Sequence, residues 1–184
     1  HDAQRKGVVT TLSTQSINHY QVRMNLSSSD AVNDLFKKIA DADLTPHWMI
    51  HCPQRPAPLE TLQMTPKDLE SLWRVQAILK KGVKHGADTR SPTILFVGAM
   101  DAVQSQPNFS GFAAVKAGVR ALAQSMAREF DPQGVHVAHI LLNHGDVVGE
   151  QFAESVAATC WQIYGQPKQA WTQELELRSL DVAG

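Results

Sequence analysis

The run Thr93-Ile94-Leu95-Phe96-Val97 is continuously apolar after its threonine. A strand buried on both faces reads this way, because helices cover both sides of a parallel sheet and no position needs a polar side chain. Around it lie further short runs rich in β-branched and aromatic residues, at 8–12, 21–26, 47–52, 135–143 and 170–178. Four amphipathic segments alternate with them. Ser27-Ser28-Ser29-Asp30 precedes Val32, Leu35, Phe36 and Ile39, which recur on one helical face. Thr65-Pro66-Lys67-Asp68 supplies a hydroxyl N-cap, a proline in the first turn and an acid at the positive end of the dipole. Leu69, Leu72, Trp73 and Leu79 follow on one face. Val115, Val119, Leu122, Met126 and Phe130 line a third helix, and Phe152, Val156, Cys160 and Ile163 a fourth. Strands alternating with helices predict an α/β fold, a doubly wound parallel sheet flanked by helices.

The chain has 184 residues and 43% apolar composition, which is the size of one domain, so 1–184 is expected to fold as a single unit. Its formal net charge is -1, and no basic stripe appears, so nucleic acid and anionic membranes are not expected partners. Cys52 and Cys160 belong to no Cys-x-x-Cys pair, so neither a disulfide framework nor zinc is signalled. No apolar run approaches the ~18 residues of a membrane span, and no signal peptide pattern opens the chain. Cytoplasmic residence is the expectation.

The order of pieces resembles the short-chain dehydrogenase/reductase family, a Rossmann-type fold, over roughly residues 20–178. Asn25-Leu26-Ser27-Ser28 is similar to the family's Asp-Val-Thr-Asp turn, and residues 47–54 stand where the family has Asn-Asn-Ala-Gly. Leu72-Trp73-Arg74-Val75-Gln76 resembles the helix with the family's structural Asn. Residues 94–149 carry the strongest likeness. Phe112-Ala113-Ala114-Val115-Lys116 occupies the Tyr-x-x-x-Lys position, and residues 120–129 match the helix that continues from it. Gln133-Gly134-Val135-His136-Val137 leads the next strand, and residues 166–178 resemble the last strand of a divergent branch.

The resemblance implies a reaction that moves a hydride between a nicotinamide and a carbon bearing oxygen, with a proton exchanged at that oxygen. The family uses Tyr as acid/base, Lys to lower the Tyr pKa and hold the ribose, Ser on the carbonyl and Asn on a water. This chain offers Phe112, Lys116, Ala99 and Gln76 at those positions. A positioned acid/base is worth about 10²–10⁴-fold in rate, and an oxyanion-type donor about 10²–10³-fold. With Phe for Tyr and Ala for Ser, little chemistry is expected, and no catalytic residue is assigned.

Cofactor binding by this chain is not expected either. The family cradles pyrophosphate on a glycine-rich turn at the start of the first helix. Gly7 is the sole glycine before Gly82, and His51-Cys52-Pro53-Gln54 lines what is the adenosine side in relatives. Pro53 has no N–H to donate. After Gly145, where relatives insert a mobile lid, Gly149-Glu150 enters the next helix. Between Leu12 and Gln21 stand only eight residues, whereas a parallel crossover takes about a dozen. The nucleotide-binding half is therefore read as truncated or remodelled, unless further residues belong between these segments.

Several residues invite sharper readings. His136, His139 and His144 are close in sequence, but His136 and His139 differ by an odd number on a strand and face opposite ways, so no metal site is expected. Cys52 beside His51 reads as a strand-end cysteine rather than a thiol nucleophile. Asp101 with Lys116 is weighed as an improvised acid/base pair against an ordinary salt-bridged or solvated role. In the family, the helices corresponding to Leu69, Leu72, Trp73 and to Val119, Leu122, Met126 pair with the same helices of a second subunit, and these six are the expected interface.

The resemblance therefore implies a catalytically inactive subunit that pairs with an active homologous NAD-dependent short-chain dehydrogenase. The expected assembly is a heterodimer or heterotetramer, hydroxyacyl-CoA dehydrogenases being a case in which the family has such a subunit. NAD(H) or NADP(H) would then sit in the active partner. The alternatives are an active NAD(P)-dependent oxidoreductase with atypical catalytic residues, and a nucleotide-sensing regulator that binds cofactor without turnover.

Overall fold

The computed structural model describes residues 28–43, 46–53, 58–76, 91–143 and 149–179. The expected strands at 8–12 and 21–26, the glycine turn, His144 and the lid position lie outside these residues. Among the described residues four parallel strands form one sheet in the order β1 (Trp48–His51), β2 (Thr93–Ala99), β3 (His136–Asn143) and β4 (Glu174–Arg178). Four helices accompany them: α1 (Ser29–Asp41), α2 (Pro66–Gln76), α3 (Ser110–Phe130) and α4 (Glu150–Tyr164).

Local chemistry sets the helix starts. The Ser28 hydroxyl accepts from the Ala31 N–H at 3.2 Å and caps α1. Thr65 and Asp68 form a reciprocal box at the start of α2. The Asp68 N–H donates to Thr65 Oγ1 at 3.3 Å, and the Thr65 N–H donates to Asp68 Oδ2 at 2.9 Å. That arrangement holds the Asp68 carboxyl below the usual carboxylate range, its hydrogen bonds from Thr65 being the largest cause.

The sheet divides two apolar layers by strand alternation. On one face Ile94, Phe96 and Val137 pack beneath Val115, Val119, Ala123 and Ala127 of α3, with Leu72 of α2 against the same cluster. On the other, Leu95, Ala138 and Ile140 meet Cys160 and Ile163 of α4. Helices thus cover both faces, as the doubly wound reading requires. Phe96, Leu95 and Ile140 are fully enclosed, each stabilising the fold by about 1.5–3 kcal/mol.

Two expectations change. The last strand starts at Glu174, not near residue 170, because Lys168–Ala170 is a 3-10 turn. The next residues are engaged with His136: Trp171 stacks on its ring at 4.8 Å between centroids, and the Thr172 carbonyl bonds its Nε2 at 2.8 Å. Val119, expected at a subunit interface, is 3% exposed and packs this chain's own core. It lies on the sheet-facing side of α3, where core packing takes all of its surface.

Candidate functional site

In open α/β sheets ligands bind beyond the C-terminal ends of the strands. Here that edge brings together His51 at the end of β1 with Cys52 and Pro53 after it, Ala99 at the end of β2 with Asp101 after it, and the first two turns of α3. Ala99 closes β2 and is half-buried; Asp101 follows in a 3-10 turn and is buried. Phe112 and Lys116 lie one helical turn apart on α3, so they share a face. Phe112 is 3% exposed and Lys116 2% exposed. The ammonium Nζ sits over the Phe112 ring, 5.3 Å from its centroid.

Lys116 is electrostatically unusual. Burial pushes it down to about 8, against smaller upward pulls from Cys52 and Asp101. Cys52 is pushed up, chiefly by burial, with Lys116 opposing. Lys116 is thus the point on which Cys52 and Asp101 both act, although the sequence reading considered Cys52 and the Asp101–Lys116 pair separately. Gln76 is the last described residue of α2.

A second polar cluster lies under α3 and was not expected. The Arg120 guanidinium donates twice to Glu174, at 2.7 Å to each carboxylate oxygen, tying α3 to β4. This bidentate pair holds Glu174 below its ordinary range. His139 is fully buried beside it, with Nδ1 3.4 Å from Glu174 Oε2, yet neither ring nitrogen makes a hydrogen bond. Burial lowers its pKa, Glu174 opposes, and Lys116 and Arg120 push it further down. No spacing rule links His139 to Glu174; β3–β4 register does, pairing the two residues directly. His136 lies on the opposite face by alternation. Among the described residues no group of His, Cys, Asp and Glu is placed to hold a metal.

Beside Phe112 a groove of about 200 Å³ opens between α2 and the start of α3, lined by Leu59, Met64, Leu72, Phe109 and Phe112 among others. It is smaller than the ~300–1,000 Å³ of most small-molecule sites. Among the expected interface residues, Leu69 and Trp73 are 40% and 43% exposed. Leu72, Leu122 and Met126 are half-buried, and Met126 packs against the α3 cluster. Trp73 also closes on α3: a Cβ added at Gly118 would meet its ring at 2.6 Å.

The family model for short chain dehydrogenases matches residues 2–148. The chain belongs to this family. A short-chain dehydrogenase from Rhodopseudomonas palustris superposes with a TM-score of 0.66 at 28% identity, over 85% of this chain and 72% of that one. A 4-hydroxyisoleucine dehydrogenase complexed with NADH and succinate gives 0.68 at 17% identity, over 85% and 78%. An NADPH-bound short-chain oxidoreductase from Pseudomonas aeruginosa PAO1, containing an atypical catalytic center, gives 0.62 at 13% identity, over 87% and 75%. At such identities the last two show the fold alone. No curated protein matches the chain.

The residues at the family's reacting positions do not fit a nicotinamide site run in the family's manner. The phenyl ring of Phe112 and the methyl of Ala99 have no group to give or take a proton. Of Phe112, Ala99 and Lys116, Lys116 is the one that can offer hydrogen bonds to a ribose, and its ammonium rests on the Phe112 ring. Pro53 presents no N–H at the end of β1. Among the described residues no helix is long and apolar enough to cross a membrane.

Proposed function

We propose that this chain is a catalytically inactive family subunit that pairs with an active homologous NAD-dependent short-chain dehydrogenase as a structural or stabilising partner. The assembly is a heterodimer or heterotetramer, with a hydroxyacyl-CoA dehydrogenase as the candidate companion, and NAD(H) or NADP(H) belongs to that companion. One observation carries the inactivity: a buried phenyl ring, covered by the Lys116 ammonium, stands where proton transfer needs a phenol. The exposed Leu69 and Trp73 on α2 support pairing, since an apolar helix face left in water favours a protein partner.

The test is purification from the native source, with identification of companions by mass spectrometry, beside a turnover assay of the isolated chain with NADH and NADPH. A complex with a homologous dehydrogenase and no turnover is expected. A solitary homodimer that oxidises either nucleotide overturns the reading.

One observation favours a second reading, an active oxidoreductase with atypical residues: Lys116 is poised near neutrality beside Cys52 and Asp101. Under that reading Lys116 handles the proton, and Lys116→Met abolishes a turnover that the wild-type chain shows unaided.

A further inference from the structure

Met64 sits in the groove beside Phe112 as a wedge between α2 and α3. A Cβ at Gly111 would lie 2.5 Å from both Met64 Sδ and Cε, and 3.6 Å from Leu72 Cδ1, so the thioether fills the space that Gly111 leaves open. Three hydrogen bonds hold the turn that carries it. The Leu59 N–H donates to the Asn108 carbonyl at 2.9 Å, the Met64 N–H donates to the Thr61 carbonyl at 3.3 Å, and the Thr61 and Ser110 hydroxyls meet at 2.8 Å. Met64 is half-buried and lines the groove, whereas Met49 and Met126 pack against the apolar cluster under α3. Met64 thus borders open space, while those two border packed side chains.

We propose that Met64 is an oxidation site for hydroperoxides, reached through the groove, and that its sulfoxide withdraws the wedge from between α2 and α3. A sulfur lone pair attacks the outer peroxide oxygen. The S–O bond forms as the O–O bond breaks, and the departing oxygen takes the proton and leaves as water or an alcohol. Sulfur loses two electrons and the peroxide gains them. The product carries a strong acceptor where the thioether was apolar. Leu59, Leu72, Phe109 and Phe112 wall the groove, and none of their side chains can donate to that oxygen. Ser71 and Asn108, which also line it, are exposed, so an oxygen that bonds them has already moved toward solvent. Gly111 has no side chain to fill the gap, and close packing between the two helices is lost there. The proposal rests on neither subunit pairing nor nucleotide binding, so it survives or fails independently of them.

The experiment treats the full chain with limiting hydrogen peroxide. Peptide mapping follows oxidation at each methionine, and hydrogen exchange follows local opening of the backbone. Met64 is expected to oxidise at least fivefold faster than Met49 and Met126. Exchange across residues 59–72 is expected to rise at least tenfold, with residues 93–99 and 136–143 unchanged, and methionine sulfoxide reductase is expected to reverse the rise. Met64→Leu is expected to remove the rise, and Gly111→Ala to produce it without peroxide. The wild-type measurements need neither variant to fold. Oxidation of Met64 no faster than of Met49 and Met126, or a Met64 sulfoxide that leaves exchange across 59–72 unchanged, overturns the proposal.

Discussion

Carrying a lysine from water to the underside of α3 lowers its pKa from 10.5 to about 8, a cost on the order of 3 kcal/mol while the group stays charged. The sign follows from proton linkage. Below pH about 8 both folded and unfolded chains hold the proton, and the buried charge costs its full amount. Between about 8 and 10.5 the unfolded chain binds more protons, so stability rises with pH. Lys116→Met is therefore expected to stabilise the fold at neutral pH by about 2–4 kcal/mol and to abolish that alkaline rise, read from urea midpoints across the range. The neighbouring positions give a second prediction. Phe112→Tyr combined with Ala99→Ser restores two hydroxyls and is expected to yield no hydride transfer from NADH or NADPH, followed by nicotinamide absorbance. Turnover in that double variant would contradict the proposal that the cofactor belongs to a companion subunit. The identities at 99, 112 and 116 were legible in the sequence because a fixed helical and strand spacing carries them. The pull of Cys52 and Asp101 on Lys116 was not, because it arises only where the ends of β1 and β2 meet α3.

Between elements, the Arg120–Glu174 pair fastens α3 to β4, and His139 lies buried against it. The folded chain lowers the pKa of both His139 and His136 below 6.5, mainly by burial. As pH falls through about 6.5 the unfolded chain takes up these protons first, so stability drops there and continues to drop toward the folded pKa values. Glu174, held low by Arg120, gives up its contribution later, as pH falls below 4.5 toward its own folded pKa. His139→Leu is expected to make the first phase shallower and leave the second in place, in urea titrations at stepped pH. A related constraint sits on β2: a Cβ at Gly98 would lie 2.4 Å from His139 Nε2. Gly98→Ala is expected to cost about 1–3 kcal/mol, measured by thermal unfolding. Elements were readable where apolar runs are local: β2 (Thr93–Ala99) contains the run from Thr93 to Val97, and α3 (Ser110–Phe130) contains the stripe from Val115 to Phe130. β4 was not, because residues 171–172 serve His136 rather than the ladder, a long-range demand that no local pattern encodes.

At the scale of the whole molecule, a parallel sheet with helices on both faces follows from the apolar runs and their alternation with amphipathic segments. Pairing does not, because surface exposure depends on which helix faces the core has already claimed. α3 turns Val119 inward, while α2 leaves Leu69 and Trp73 in water. Leu69→Asp is expected to weaken association with a homologous dehydrogenase at least tenfold and to leave the far-ultraviolet circular dichroism of the lone chain unchanged, with native mass spectrometry reading the assembly. Trp73 is a poorer choice for that experiment, because its ring also fills the space above Gly118. The stack of Trp171 on His136, with ring planes 4° apart, has an optical consequence. An imidazolium draws electron density from an excited indole, whereas a neutral imidazole does so far less. Emission from Trp171, one of four tryptophans, should dim as His136 gains its proton, so the part of the protein's light contributed by that ring is a gauge of one histidine, with no dye attached.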